Sequence, residues 1–342
     1  MKNLQVLLQD LSKVESLKRF RTIFETIDGV VFGFREITLE APHFLDNIEI
    51  KRYMSSAIVA LLPTTFAAIY FFGWPAIKII AASYIAGAFV EVMFALVRKK
   101  DIEEGFLVTG LIFALLLPPT IPVWVVMVGS AFGVFFGKEV FGGTGKNIFN
   151  PALVGRLFIT IAFPQMMSSS WMAPFTDTIT SATPLSVYRS FQEVPSYSRL
   201  LLGQTGGSIG ELFRIGIIAG GIFLMVTKVA NWRIPASYLG SVFLFSLLGN
   251  SIAPLRIAPP LFQLCTGGLL FGALFMATDP VTSPFTRAGK YIFGCMCGLL
   301  TVLIRAFSGY TEGVMFSIIF MNALTPLIDH CIINLKYRAA GL

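Results

Sequence analysis

The chain has 342 residues, 55% of them hydrophobic and 13% charged, with a net charge of +7 and a mean hydropathy of +0.75. Soluble domains carry about 25% charged residues. A soluble enzyme is therefore excluded, and apolar segments of about 20 residues recurring along the chain define a polytopic helical membrane protein. In such a protein an excess of Lys and Arg marks cytoplasmic loops and not a nucleic-acid surface.

Residues 1–52 read as a polar, charged cytoplasmic tail, and no cleavable signal peptide is expected in them. Leu4, Leu7, Leu8 and Leu11 have helical spacing and precede Lys18, Arg19 and Arg21, the pattern of a short amphipathic helix on a membrane surface or a partner. Ten spans follow, at roughly 53–73, 76–97, 105–118, 121–137, 148–166, 211–227, 236–251, 260–278, 289–305 and 313–335. Some are broken. The third ends in Pro118-Pro119, the fifth contains Asn150-Pro151 and the eighth ends in Asp279-Pro280. Proline frees backbone carbonyls, and unwound backbone at membrane depth survives only where it lines protein or a cavity.

With the N-terminus in the cytoplasm, most of the 26 Lys and Arg residues fall on the cytoplasmic side, and the opposite side holds only Arg189, Arg199, Arg256 and Arg305. That bias places both termini in the cytoplasm, residues 336–342 being a short C-terminal tail, and the long loop 167–210 outside. An internal repeat aligns Gly110-Leu-Ile-Phe-Ala-Leu-Leu-Leu-Pro118 with Gly272-Ala-Leu-Phe-Met-Ala-Thr-Asp-Pro280, each in the third span of a five-span half. Phe141-Gly-Gly-Thr-Gly145 has a looser echo in Phe307-Ser-Gly-Tyr-Thr311. Five is odd, so the second half runs inverted. The expected fold is an all-α membrane domain over 53–335, with about ten transmembrane helices in two inverted five-helix repeats, channel- or transporter-like.

Intramembrane carboxylates mark the chemistry. Glu104 opens the third span, Asp279 closes the eighth, Asp329 lies in the tenth and Glu91 in the second. An ionised carboxylate costs roughly 2.5–3.5 kcal/mol in hydrocarbon, so each is expected on a cavity, on a cation path or in an ion pair. Asp279 is the strongest candidate for Na+, because Pro280 leaves carbonyls free to join it as hard oxygen ligands. Gly137-Lys-Glu-Val-Phe-Gly-Gly-Thr-Gly-Lys-Asn147 lacks the phosphate-loop order, since Asn147 follows Lys146, and nucleotide hydrolysis is rejected. Cys265, Cys295, Cys297 and Cys331 read as core thiols, and His43 and His330 are too scattered for a metal site. The outer loop carries a polar run, Asp177-Thr-Ile-Thr-Ser-Ala-Thr-Pro184. Long loops in compact folds are often functional.

Gly105-Phe-Leu-Val-Thr-Gly110, Gly137-Lys-Glu-Val-Phe-Gly-Gly-Thr-Gly-Lys-Asn-Ile-Phe-Asn-Pro-Ala-Leu-Val-Gly-Arg156, Met276-Ala-Thr-Asp-Pro280 and Pro326-Leu-Ile-Asp-His330 together resemble the NqrB/RnfD family. Its members are the NqrB subunit of the Na+-translocating NADH:quinone reductase and the RnfD subunit of the related Rnf complex. The resemblance runs from about Pro42 to Asp329. It implies FMN joined by a phosphoester to a threonine in the form Asp-x-x-Ser/Thr-Gly-Ala-Thr. Asp177, Thr180, Ala182 and Thr183 match, with Thr183 the attachment site, while Ser181 stands where the family has Gly. Asn150 and Arg156 become candidate flavin contacts, and Glu104, Asp279 and Asp329 match acidic positions linked to cation passage.

The resemblance further implies a second flavin, riboflavin, and a cytoplasmic-side quinone site near the tail and the third span. Its partners would be other subunits of one redox complex, including a second covalent-flavin subunit on the outer face, and a flavin transferase for maturation. The location implied is a bacterial cytoplasmic membrane. Electrons from a partner flavoprotein would pass through FMN to quinone, coupled to Na+ translocation. Thr144-Gly-Lys-Asn147 and Arg156 favour the NqrB branch. The short length and Val281-Thr-Ser-Pro284 lean towards the RnfD branch, whose acceptor is ferredoxin or NAD and whose ion is Na+ or H+. A passive channel of the same shape is the rival from another class, but it has no use for the Thr183 motif.

Overall fold

A computed structural model describes residues 50–99, 105–175 and 182–339. The expectations placed on the N-terminal tail, Glu104, Asp177, Thr180 and Ser181 lie outside these residues. The described chain is helical, with no strand among the described residues. The helices are α1 (Ile50–Phe72), α2 (Trp74–Arg98), α3 (Gly105–Leu115), α4 (Val123–Gly137), α5 (Pro151–Ala162), α6 (Pro164–Ser169), α7 (Pro184–Phe191) and α8 (Tyr197–Leu201). They continue with α9 (Arg214–Val226), α10 (Arg233–Ile252), α11 (Pro260–Cys265), α12 (Leu269–Phe271, running into a π turn over Gly272–Met276), α13 (Arg287–Phe307) and α14 (Val314–Ala339).

Five segments are long and apolar enough to cross a bilayer: Tyr53–Phe72, Trp74–Arg98, Val123–Phe141, Arg287–Phe307 and Val314–Arg338. α3, α5 and α9 are apolar but shorter. α10 has 20 residues, but Ser237, Ser241, Ser246 and Asn250 dilute its apolar character. Those serines serve packing. Gly294 and Gly298 of α13 sit directly against Ser237 and Ser241, leaving no room for a side chain. The α4–α5 seam is equally close. A Cβ on Gly133 would lie 2.6 Å from the Pro151 carbonyl oxygen, and one on Gly155 would lie 2.5 Å from that of Gly129. Small residues let membrane helices approach to backbone contact, where dispersion replaces the absent hydrophobic drive. Gly133→Val should therefore force the seam apart, at about 1–3 kcal/mol for overpacking. The purified protein would melt lower or fail to accumulate, and an unchanged melting temperature would show that the seam yields.

The short helices have identifiable stops. Pro118-Pro119 ends α3, and the carbonyls it frees do not stay bare. Gly210 N–H donates to Leu115 O at 2.7 Å and Ile209 N–H to Leu117 O at 3.0 Å, so the segment before α9 plugs the broken end. The predicted eighth span breaks earlier than its terminal Asp279-Pro280 implies. It opens at Thr266–Gly268, where Gly267 has φ +61° and glycine alone takes that backbone cheaply.

One apolar core runs through the bundle, with Leu115, Leu153, Ile159, Tyr238, Phe271 and Phe293 buried in it. Within it Tyr238 Oη, Thr301 Oγ1 and Ser317 Oγ form a closed hydroxyl triangle of 2.7, 2.8 and 3.1 Å sides that ties α10, α13 and α14 together. A satellite cluster of Tyr188, Leu200, Ala258 and Phe262 docks α7 and α8 onto α11. The expected open polar loop is thus partly helical and seated. Of the four cysteines, all unpaired, only Cys297 is buried, and Cys295 and Cys331 are exposed on the bundle's surface, not in its core.

Candidate functional site

Thr183 is the N-cap of α7. Its φ of −70° and ψ of 152° are extended, and its Oγ1 accepts from Ser186 N–H at 3.4 Å. Pro184 follows at the first helical position, where its fixed φ suits the helix and its missing N–H costs nothing. The Thr183 hydroxyl therefore sits at the positive end of a helix whose first N–H groups point at it, a place that favours a bound anion. Thr183 is half-buried and Ala182 exposed. Beside α7 lies a cavity lined by Tyr188, Arg189, Arg256, Gln263 and Arg305, with no carboxylate among its described walls. Arg189 donates to Ser308 O at 2.7 Å, and the Arg256 guanidinium lies 5.8 Å from the Phe307 ring centre. Burial pushes the Tyr188 phenol above its usual range, so it stays a neutral donor, here to Pro254 O at 3.1 Å. The cap favours an anionic group at Thr183, and Arg189 and Arg256 of the cavity carry the charge to face one.

Deeper in, a charged network fills the space between the two helix breaks. Arg305 Nη1 donates to Gln263 O and Gln263 Oε1, both at 2.9 Å, and Nη2 donates to Thr266 O at 3.0 Å and Glu312 Oε1 at 2.9 Å. Gly268 N–H donates to Glu312 Oε2 at 2.9 Å. The carbonyls freed at the second break are thus satisfied by an arginine. Arg156 lies in this interior and not at the loop, with Nη1 3.7 Å from Glu211 Oε1. Arg156 Nε, Arg305 Nε and Glu211 Oε1 have no hydrogen-bond partner among the described residues. Arg214 donates to Leu200 O.

Asp279 stands at the opposite end, on a narrow cavity lined by Tyr53, Gly105, Thr109, Lys138, Thr144, Asn147, Asn150 and Thr278. Its Oδ1 accepts from Val281 N–H at 3.1 Å and its Oδ2 from Thr282 Oγ1 at 3.2 Å. Each oxygen keeps further acceptor capacity. Glu91 is ion-paired with Lys138, both buried. Asn150 is a helix cap, its Oδ1 accepting from Ala152 N–H at 3.1 Å and Leu153 N–H at 3.4 Å, while it also lines the Asp279 cavity. Asp329 is elsewhere. Its carboxylate takes Phe285 N–H at 3.0 Å, Thr286 N–H at 3.1 Å and Thr286 Oγ1 at 2.5 Å, clamping α14 to the start of α13.

The structure thus brings Asp279, Asn150 and the start of α3 together and leaves Arg156, Thr183 and Asp329 in three other environments. Sequence reasoning did not single out Glu211, Glu312 or Arg305 as a network. The available signal was that Glu211 and Glu312 each stand just before an apolar run, and Arg305 ends one.

Apolar helices of spanning length, backbone breaks satisfied inside the protein and charges held at membrane depth define an integral membrane protein of the polytopic α-helical class. A family model described as the NQR2, RnfD, RnfE family matches residues 37–338. Among curated relatives, a protein of Azotobacter vinelandii is 36% identical and one of Ectopseudomonas mendocina 34%, each alignment covering 94% of both chains. One of Yersinia pestis is 33% identical over 95% of both. All three are named as the B subunit of the Na(+)-translocating NADH-quinone reductase. The chain belongs to the NQR2, RnfD, RnfE family.

Proposed function

We propose that the chain is the flavin-bearing membrane subunit of a Na+-translocating NADH:quinone reductase, working with the other subunits of that complex. The observation that carries the reading is Thr183 itself, the N-cap hydroxyl of a helix whose Tyr188 and Arg189 line an arginine-rich cavity, in a chain matched over 94% of its length by proteins of that name. FMN bound there supplies electron transfer that side chains cannot. The chain's own part is to hold the phosphate at the α7 N-terminus and to place Arg189 and Arg256 where negative charge is stabilised. The relatives' names favour this branch over the RnfD branch. The test is peptide mass spectrometry over residues 168–199 of protein from its native membrane. An FMN phosphoester on Thr183 supports the reading, and an unmodified Thr183 with the transferase present overturns it.

Ten spans in two inverted halves are supported by a recurring order of packing. The second helix packs on the fourth and the fourth on the fifth, as α2, α4 and α5 in one half and α10, α13 and α14 in the other, while α1 meets α9 between them. The cytoplasmic assignment of the Asp279 end is supported by Lys138 on the Asp279 cavity and by Lys228, Arg233 and Lys290 on the cavity that adjoins it.

Na+ enters on Asp279, whose carboxylate faces a cavity and has acceptor capacity to spare. Asp329, already spent on three donors, is a clamp. Asp279→Asn should slow Na+-dependent quinone reduction by roughly tenfold or more, the scale of one lost charged ligand contact, while gel fluorescence of the flavin is unchanged. Turnover with an unaltered Na+ dependence would remove Asp279 from the path.

A further inference from the structure

A third cavity adjoins the Asp279 cavity, between the α9–α10 connection and the segment leading into α13. Lys228, Arg233 and Lys290 line it, and no Asp or Glu does among the described residues. Two acids stand close by: Asp329 already holds Phe285 and Thr286, and Asp279, between the lining residues Thr278 and Pro280, lines the adjoining cavity. Lys228 takes a left-handed backbone, φ +60°, just past the end of α9, where Ala230 N–H closes the helix on Leu224 O at 2.9 Å. Glycine is the usual residue at such a position because a Cβ is strained there.

The rim is aromatic. Trp232 and Tyr291, 52% and 42% exposed, meet edge to face with centroids 6.4 Å apart, and the Arg233 guanidinium sits 5.2 Å from the Trp232 ring centre. Tryptophan and tyrosine beside clustered cations are the mark of a membrane–water boundary. Phe223 and Val226 on α9, and Ile292 and Met296 on α13, are exposed apolar side chains on the two helices that meet this rim.

We propose that this cavity binds the headgroup of an anionic phospholipid, its phosphates on Lys228, Arg233 and Lys290 and its acyl chains along α9 and α13. Three cations with no counter-charge on the cavity wall match a two-phosphate headgroup better than a single phosphate, and basic pockets between membrane helices commonly hold such lipids. A polar partner segment would satisfy the cations but would leave these exposed apolar side chains uncovered.

The test uses the whole complex, delipidated in detergent, as wild type, as Lys228→Gly and as Arg233→Gln/Lys290→Gln. Lys228→Gly removes a cation while relieving the backbone, so its melting temperature without lipid should not fall. Cardiolipin should raise the melting temperature of the wild type, phosphatidylethanolamine should not, and native mass spectrometry of the complex before delipidation should find a retained anionic lipid. Both variants should lose more than half of the shift and the retained lipid. An equal shift in the variants overturns the proposal. So does inorganic phosphate reproducing the shift, which would make free phosphate the ligand. Loss of a partner protein from the variants with lipid retention unchanged would assign the cavity to a protein segment and likewise overturn it.

Discussion

Replacing Thr183 with alanine should leave the chain folded in its membrane and abolish its flavin fluorescence on a denaturing gel. The structural loss is small. An N-cap threonine contributes about 1 kcal/mol to its helix, and α7 is also held by Tyr188 in the satellite cluster and by the Arg189 hydrogen bond to Ser308. The chemical loss is total, because no other hydroxyl among the described residues occupies the position to which the phosphoester would be joined. Ser186 is adjacent, but its Oγ donates to Thr183 O at 2.7 Å from inside the first turn. Thr183→Ser keeps both cap and hydroxyl and should retain part of the signal. Quinone reductase activity of the complex should fall by orders of magnitude in the alanine variant. Undiminished fluorescence would place the attachment elsewhere in the chain.

Arg305→Met should cost more in folding than any other single substitution in the interior. The Arg305 side chain is 2% exposed and its two amino groups serve Gln263 O, Gln263 Oε1, Thr266 O and Glu312 Oε1. Methionine has similar length and no donors. It would leave two helix-break carbonyls bare and the Glu312 carboxylate without its counter-ion. Breaking a buried ion pair from one side costs about 3–5 kcal/mol, against a total stability of about 5–15 kcal/mol for a typical domain. The yield of monodisperse protein and its melting temperature should both drop sharply. Arg305→Lys should recover only part, since one ammonium cannot span acceptors laid out for a planar fork. Adding Glu312→Gln to Arg305→Met should restore some stability by removing the orphaned charge. A melting temperature that ignores all three changes would mean that the second break is held by something other than this network.

Proline and hydropathy made the membrane class, the stop of α3 and the special place of Asp279 legible in the sequence. Pairing was not legible. Glu91 reads as one intramembrane carboxylate among several, and only the packing of α2 on α4 brings Lys138 to it. Arg156 reads as an outer-end arginine, and its placement beside Glu211 depends on the plug that Ile209 and Gly210 make on α3. The break at Thr266–Gly268 carries a glycine pair but no proline, and it is stable because Arg305 arrives from a different helix. Asp329 shares its residue type with Asp279, yet its surroundings are decided by the chain segment that folds back over it. In each case a local signal gives the kind of group and the tertiary contact gives its use.

The π turn at Gly272–Met276, closed by Ala277 N–H on Gly272 O at 2.8 Å, adds one residue to a helical turn just ahead of Thr278 and Asp279. Each residue advances an α-helix by about 100°. That surplus residue therefore fixes the compass bearing of everything after it. A chain of identical composition without it would swing the Asp279 carboxylate away from the Tyr53–Asn150 cavity and bring a neighbouring position round in its place. The aim of the carboxylate is thus a property of phase, written in spacing and not in residue identity.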